Sequence, residues 1–117
     1  MESKMYLVNG ISLHVMEDGP ADGDVILFLH GFPEFWFGWK NQIPFFASKG
    51  YRVMAVDQRG YNCSDKPSGI KAYTLDKLVG DIDALIAATG KDKVKLVGHD
   101  WGGIVAWTYA GLNPKKV

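Results

Sequence analysis

Gly98-His99-Asp100-Trp101-Gly102 sets a carboxylate between two glycines, each two positions away from it. The stretch Val94 to Val97 before it reads as a short buried strand, and Trp101 to Leu112 after it reads as a helix. The acid therefore falls on a sharp strand-to-helix elbow, a tight and strained turn that exposes the central side chain. Gly98 and Gly102 leave room for neighbouring main chain to pass closely. A carboxylate presented in this way can attack an electrophilic carbon and carry the alkyl group as an ester, which differs from acylation of a serine. An acid at a helix N-terminus is also favoured by the helix dipole without any chemistry. The small residues around Asp100, and two further segments described below, weigh against that plainer reading.

The elements needed to hold this turn are legible along the chain. Tyr6 to Val8 and Ile11 to Val15 flank Asn9-Gly10, a pair that tolerates positive φ and suits a tight hairpin. Val25 to Leu29 is apolar at every position, as expected of a strand covered on both faces in a parallel sheet. An aromatic, helix-like segment from about Phe35 to Ser48 follows, with Pro44 expected to bend or interrupt it, and Tyr51 to Val56 supplies the next strand. Asp57 to Ile70 is a loop. Thr74 is placed to cap a helix whose apolar face is Leu75, Leu78, Val79, Ile82, Leu85 and Ile86, with Gly90 ending it. The helix behind the elbow should stop near Asn113-Pro114, and Lys115 to Val117 reads as the lead-in to a further strand. The fold class is α/β, one unit over residues 1–117, with an opening antiparallel hairpin and a mostly parallel sheet flanked by helices.

Composition bounds the partners. Thirteen basic residues balance thirteen acidic ones, leaving no electrostatic footprint for nucleic acid or an anionic membrane. A small neutral partner fits better. With 47% hydrophobic and 13% aromatic residues, the 117-residue chain has enough apolar material for a core. Cys63 is the only cysteine, which excludes an intrachain disulfide and agrees with a reducing, cytoplasmic setting. The N-terminus lacks a basic segment followed by a long apolar one. Three scattered histidines and one cysteine offer no metal-ligand spacing, and no Gly-x-Gly-x-x-Gly opens the first crossover, so neither a metal nor another cofactor is expected.

Two more segments stand at strand ends: His30-Gly31-Phe32-Pro33-Glu34-Phe35-Trp36 after the third strand, and Asp57-Gln58-Arg59-Gly60-Tyr61 after the fourth. Taken in order with His99-Asp100-Trp101-Gly102-Gly103, they resemble the N-terminal part of an α/β-hydrolase of the epoxide hydrolase type, over nearly the whole chain. The resemblance implies the strand order 1-2-4-3-5 and makes Asp100 the nucleophile that opens an epoxide. It implies an oxyanion hole made by the backbone N–H groups of Phe32 and Trp101, supported by His30, Gly31, Pro33, Gly98 and Gly102, with His30 structural and a cis bond before Pro33. In that family the base histidine, its acidic partner, a sixth strand and a lid bearing the ring-opening tyrosines come later than Val117. The chain is thus expected to be truncated before them, to have no lid, and to capture a small apolar epoxide-like substrate without assured turnover.

Other residues have structural readings. His14 lies in the hairpin, and His99 should point to the opposite side of the elbow from its neighbour. Neither is placed to activate water. Arg59 is expected to form a surface pair with Asp57 or a nearby carboxylate. Asn62 stands where many relatives have glycine, and its tolerance of the left-handed region preserves the turn. Phe35, Trp36, Phe37 and Trp39 either line a pocket or pack in a core. No role attaches to Tyr6, Tyr51, Tyr61, Tyr73 or Tyr109. Two alternatives stay open: a haloalkane or haloacid dehalogenase-like segment with an aspartate nucleophile, and a non-enzymatic folding or assembly unit. In either case a strand ending exposed at the edge predicts self-association or a complementing chain.

Overall fold

In the computed structural model, which describes residues 1–117, Asn9 and Gly10 take φ of 51° and 78°. Two successive positive φ values make the turn whose twist matches that of its strands. It joins β1 (Glu2–Val8) to β2 (Ile11–Asp18) in antiparallel register, with Val8 opposite Ile11. β3 (Val25–Leu29), β4 (Arg52–Val56) and β5 (Lys95–Gly98) complete a five-stranded sheet in the order β1-β2-β4-β3-β5. β2 runs antiparallel to β4, while β3 lies parallel to both β4 and β5. The order is the one the family resemblance implies.

All five residues of β3 are buried because both faces of the sheet are covered. Val25, Leu27 and Leu29 point into the larger core, where Val79, Ile82, Leu85 and Ile86 of α2 (Leu75–Thr89) meet Val105 and Tyr109 of α3 (Trp101–Leu112). Ile26 and Phe28 point the other way, toward Ile43 of α1 (Gln42–Ala47), Trp36, Trp39 and Phe46. The period of two along the strand thus builds two cores from one run. Gly90, with φ of 73°, ends α2 as expected.

Local expectations need four corrections. The single helix expected from Phe35 to Ser48 is instead a 3-10 turn, Trp36–Trp39, followed by α1. Pro44 is not the interruption. It sits in the first turn of α1, where an amide N–H has no intrahelical acceptor to lose. The break lies before it, at Lys40-Asn41, while the Trp36 N–H that opens the 3-10 turn is held 2.8 Å from Asp57 Oδ1 at the end of β4. Thr74 stands at the start of α2 in extended conformation, but its hydroxyl turns to the Asp76 carboxylate rather than to a backbone N–H. Lys115 to Val117 form no strand; the Lys116 carbonyl accepts the Val94 N–H at 2.9 Å. The fourth correction concerns Arg59 and belongs with the site. No helix is long and apolar enough to cross a membrane.

Candidate active site

β3 and β5 are parallel neighbours, so the chain leaves both strands at the same end of the sheet. His30-Gly31-Phe32 therefore arrives beside His99-Asp100. Contact is so close that side chains are excluded at three positions. A Cβ on Gly31 would fall 2.4 Å from Asp100 Cβ and 2.9 Å from its Oδ2. On Gly102 it would meet the Leu29 carbonyl oxygen at 2.2 Å, and on Gly98 the Gly102 carbonyl oxygen at 2.4 Å. Asp100 itself has φ of 57° and ψ of −124°, outside the regions an L residue favours. Such a conformation costs on the order of 1–3 kcal/mol and persists because the surrounding contacts fix it.

The Asp100 carboxylate is solvent-exposed. The Phe32 N–H donates to its Oδ2 at 3.0 Å. That donor, and then the N–H of Trp101, holds the carboxyl below the usual carboxylate range. The two backbone groups expected to form an oxyanion hole thus converge on one carboxylate. The Phe32-Pro33 peptide is cis. Trp101 is half-exposed, so its indole is not part of the core.

The three histidines have separate tasks. His30 is buried, with Nδ1 2.9 Å from the Gly31 carbonyl and Nε2 accepting the Gln58 N–H at 2.9 Å. This pairing fixes one neutral tautomer, and burial lowers its pKa. The ring ties the end of β3 to the end of β4. His14 is buried against Asp57, with Nδ1 to Oδ2 at 2.8 Å. His99 is exposed and meets Glu34 Oε1 at 3.0 Å, away from the cavity that Trp101 lines. None hydrogen-bonds the Asp100 carboxylate.

Asp57 is fully buried and accepts bonds from the Trp36 N–H, His14, the Asn62 side chain and the Cys63 N–H. Asn62 holds φ of 43°, in the left-handed region that asparagine tolerates. Folding also brings possible ligand atoms of His14, Asp57 and Cys63 within 4.8 Å of one another, a proximity that sequence spacing does not reveal. Asp57 Oδ2 is already occupied by its hydrogen bonds, so the group serves as a polar hub for the loop.

The expected surface pair of Arg59 is corrected here. Arg59 is buried and forms a fork with Asp81 of α2, Nε to Oδ2 at 2.9 Å and Nη2 to Oδ1 at 2.8 Å, while Nη1 donates to the Ala72 carbonyl. Asn9 adds a bond to Asp81 at 2.8 Å. The partner is 22 positions away, on a helix face chosen by packing rather than by local sequence. Among the aromatics, Trp36 and Trp39 pack on the smaller core, Trp39 tilted at 41° against Phe28 with ring centroids 4.8 Å apart, whereas Phe35 and Phe37 stay exposed. Tyr61 and Tyr73 had no expected role, yet both line a cavity beside Gly31 and Trp101. The Tyr61 hydroxyl is pushed up, first by burial and then by the charge of Asp100.

Residues 24–117 match the family described as the alpha/beta hydrolase fold, and the chain belongs to that family. Within it, the resemblance is to epoxide hydrolases. The chain is 46% identical over 116 residues to Epoxide hydrolase 1 of Caenorhabditis elegans, covering 99% of this chain and 28% of that protein. It is 56% identical over 107 residues to the AB hydrolase superfamily protein YfhM of Bacillus subtilis (strain 168), covering 92% and 37%. The crystal structure of epoxide hydrolase VrEH1 from Vigna radiata superposes with a TM-score of 0.96 at 49% identity, over 99% of this chain and 37% of that one. The chain spans about a third of the length of these relatives. Its five-stranded sheet corresponds to the N-terminal part of their fold.

Proposed function

We propose that Asp100 is the nucleophile of an epoxide hydrolase-like reaction on a small, mainly apolar epoxide. The observation that carries this is the hydrogen bond from the Phe32 N–H to Asp100 Oδ2, joined by the N–H of Trp101. With Oδ2 held, Oδ1 faces the substrate. It attacks a ring carbon, the carbon–oxygen bond of the strained ring breaks, and the released oxygen takes a proton from water. The former Oδ2 is then the carbonyl oxygen of the ester. When water adds to that carbonyl, negative charge grows on the atom the Phe32 N–H already addresses, with the Trp101 N–H beside it. Glycines at 31, 98 and 102 allow this approach. The names of the relatives support the substrate class.

Residues 1–117 by themselves capture rather than turn over. His14 and His30 are buried in other bonds, and His99 is turned to Glu34, so no imidazole is free to activate water at the ester. Intact-mass measurement after exposure to an epoxide tests the reading: one added epoxide mass is expected, absent in Asp100→Asn. Release of halide from a haloalkane with no epoxide adduct would overturn it in favour of dehalogenase chemistry.

In isolation the chain also self-associates. β5 pairs only with β3, leaving an unpaired edge. Beside that edge, Leu96, Val97, Trp107 and Val117 line an apolar hollow of about 370 Å³, and Trp107 is 82% exposed. Light scattering over a wide concentration range is expected to show dimers or larger species; a constant monomer mass refutes this.

A further inference from the structure

The cavity lined by Tyr61 and Tyr73 has a volume of about 200 Å³ and opens beside the elbow. Its walls are aromatic and aliphatic: Tyr61, Tyr73 and Trp101 with Leu78 and Val105. Its polar neighbours are already engaged. His30 uses both ring nitrogens, the Gln58 amide donates to the His30 carbonyl at 2.8 Å, and Arg59 is held by Asp81 and Ala72. An apolar cavity of about 150 Å³ is large enough for benzene, so this one has room for a single phenyl ring. The Gly31 wall lies against the Asp100 carboxylate, with no Cβ to separate them. A ring seated in the cavity is thus one short linker from the Asp100 carboxylate.

We propose that this cavity is an aryl subsite, in which Tyr61 and Tyr73 receive the phenyl arm of a substrate while its oxirane lies at Asp100. The inference rests on Asp100 as nucleophile. The loop after β4 and the start of α2 build the subsite together. Arg59 binds the Ala72 carbonyl next to Tyr73, and Gly60, where a Cβ would lie 2.7 Å from the Tyr73 ring, lets that ring close on the backbone beside Tyr61. Edge contact between Tyr61 and His30, 4.7 Å between ring centroids, fixes the second wall. Aryl epoxides should therefore react faster than small alkyl ones.

The test has two arms on the full chain. In the first, 1-phenylethane-1,2-diol is titrated while the ring resonances of Tyr61 and Tyr73 are followed, with propane-1,2-diol as control. Both tyrosines should shift with the phenyl compound alone; unmoved tyrosines overturn the subsite whatever Asp100 does. In the second, intact mass gives the capture rates of styrene oxide and 1,2-epoxypropane. Tyr73→Ala and the cavity-filling Leu78→Trp should each lower the styrene oxide rate about tenfold relative to that of epoxypropane. An unchanged ratio in variants that retain the parent's circular dichroism overturns the subsite. Shifted tyrosines with no adduct from either epoxide keep the subsite and refute Asp100 as nucleophile.

Discussion

Asp57 and Asp100 occupy equivalent places, each just beyond the end of a parallel strand flanking β3, and they are used in opposite ways. Asp57 is fully buried and surrounded by donors from β2, from the segment after β3 and from the loop after β4. Asp100 is exposed, accepts the Phe32 N–H at Oδ2, and sits on a turn with unfavourable backbone angles. A carboxylate with both oxygens engaged organises structure; one with an oxygen left free can attack. The difference lies in how many donors the fold delivers to each acid and not in the acid itself.

Exchanging each carboxylate for a group that cannot do its work separates the two roles. The largest effect is expected from Asp100→Asn, which keeps a side chain tolerant of positive φ but removes the proposed nucleophile. Epoxide capture should fall on the order of 10³-fold or more, with urea denaturation little changed. Asp57→Ala should do the reverse. It leaves several buried donors without an acceptor, at about 1–3 kcal/mol each, so the denaturation midpoint should drop sharply or the chain should fail to fold. If Asp57→Ala leaves stability intact, the hub reading is wrong.

A smaller effect sharpens the same contrast at the neighbouring ion pair. Asp81→Ala strands the buried Arg59 guanidinium and should cost about 3–5 kcal/mol, whereas the double change Arg59→Met with Asp81→Leu should recover much of that loss. Failure of the double variant to recover would indicate that the Ala72 and Asn9 bonds carry the junction instead.

The smallest effects are in pH. Asp100 has a depressed pKa from the Phe32 N–H and then the Trp101 N–H, so its charged form outlasts an ordinary aspartate on acidification. Capture should stay level until pH falls below the usual carboxylate range, then decline. His30 is also depressed, through burial, so its contribution to stability is complete above the unfolded histidine value of about 6.5 and is lost as pH falls through the folded value. Stability should weaken on mild acidification before capture chemistry does. A capture profile that falls in the histidine range together with stability would erase the distinction.

Much of the frame was legible along the chain. Asn9-Gly10 fixed a hairpin because few other pairs accept two positive φ values, and the unbroken apolar run of β3 required cover on both faces. The glycines around Asp100 marked a close approach before the neighbour was known. The segment from Phe35 to Ser48 was less readable. Its residues favour a continuous helix, but a bond from Trp36 to an acid 21 positions later starts the chain in a tighter turn. Arg59 was misplaced for the same reason: a buried fork and an exposed pair use the same residue type, and only the position of α2 distinguishes them.

Residue types and spacing alone fixed the opening hairpin, the buried strands, the long helix after Thr74, the elbow with its glycines and the acid at its tip, since these depend on φ preferences and on periodicities of a few residues. Tertiary structure alone decided which of two aspartates keeps a free oxygen, where Arg59 finds its carboxylate, and that Tyr61 and Tyr73 share a cavity beside Asp100. Those outcomes depend on burial and on the direction of donors from distant segments. Neither is encoded at any single position, because each exists only when the sheet brings the strand ends together.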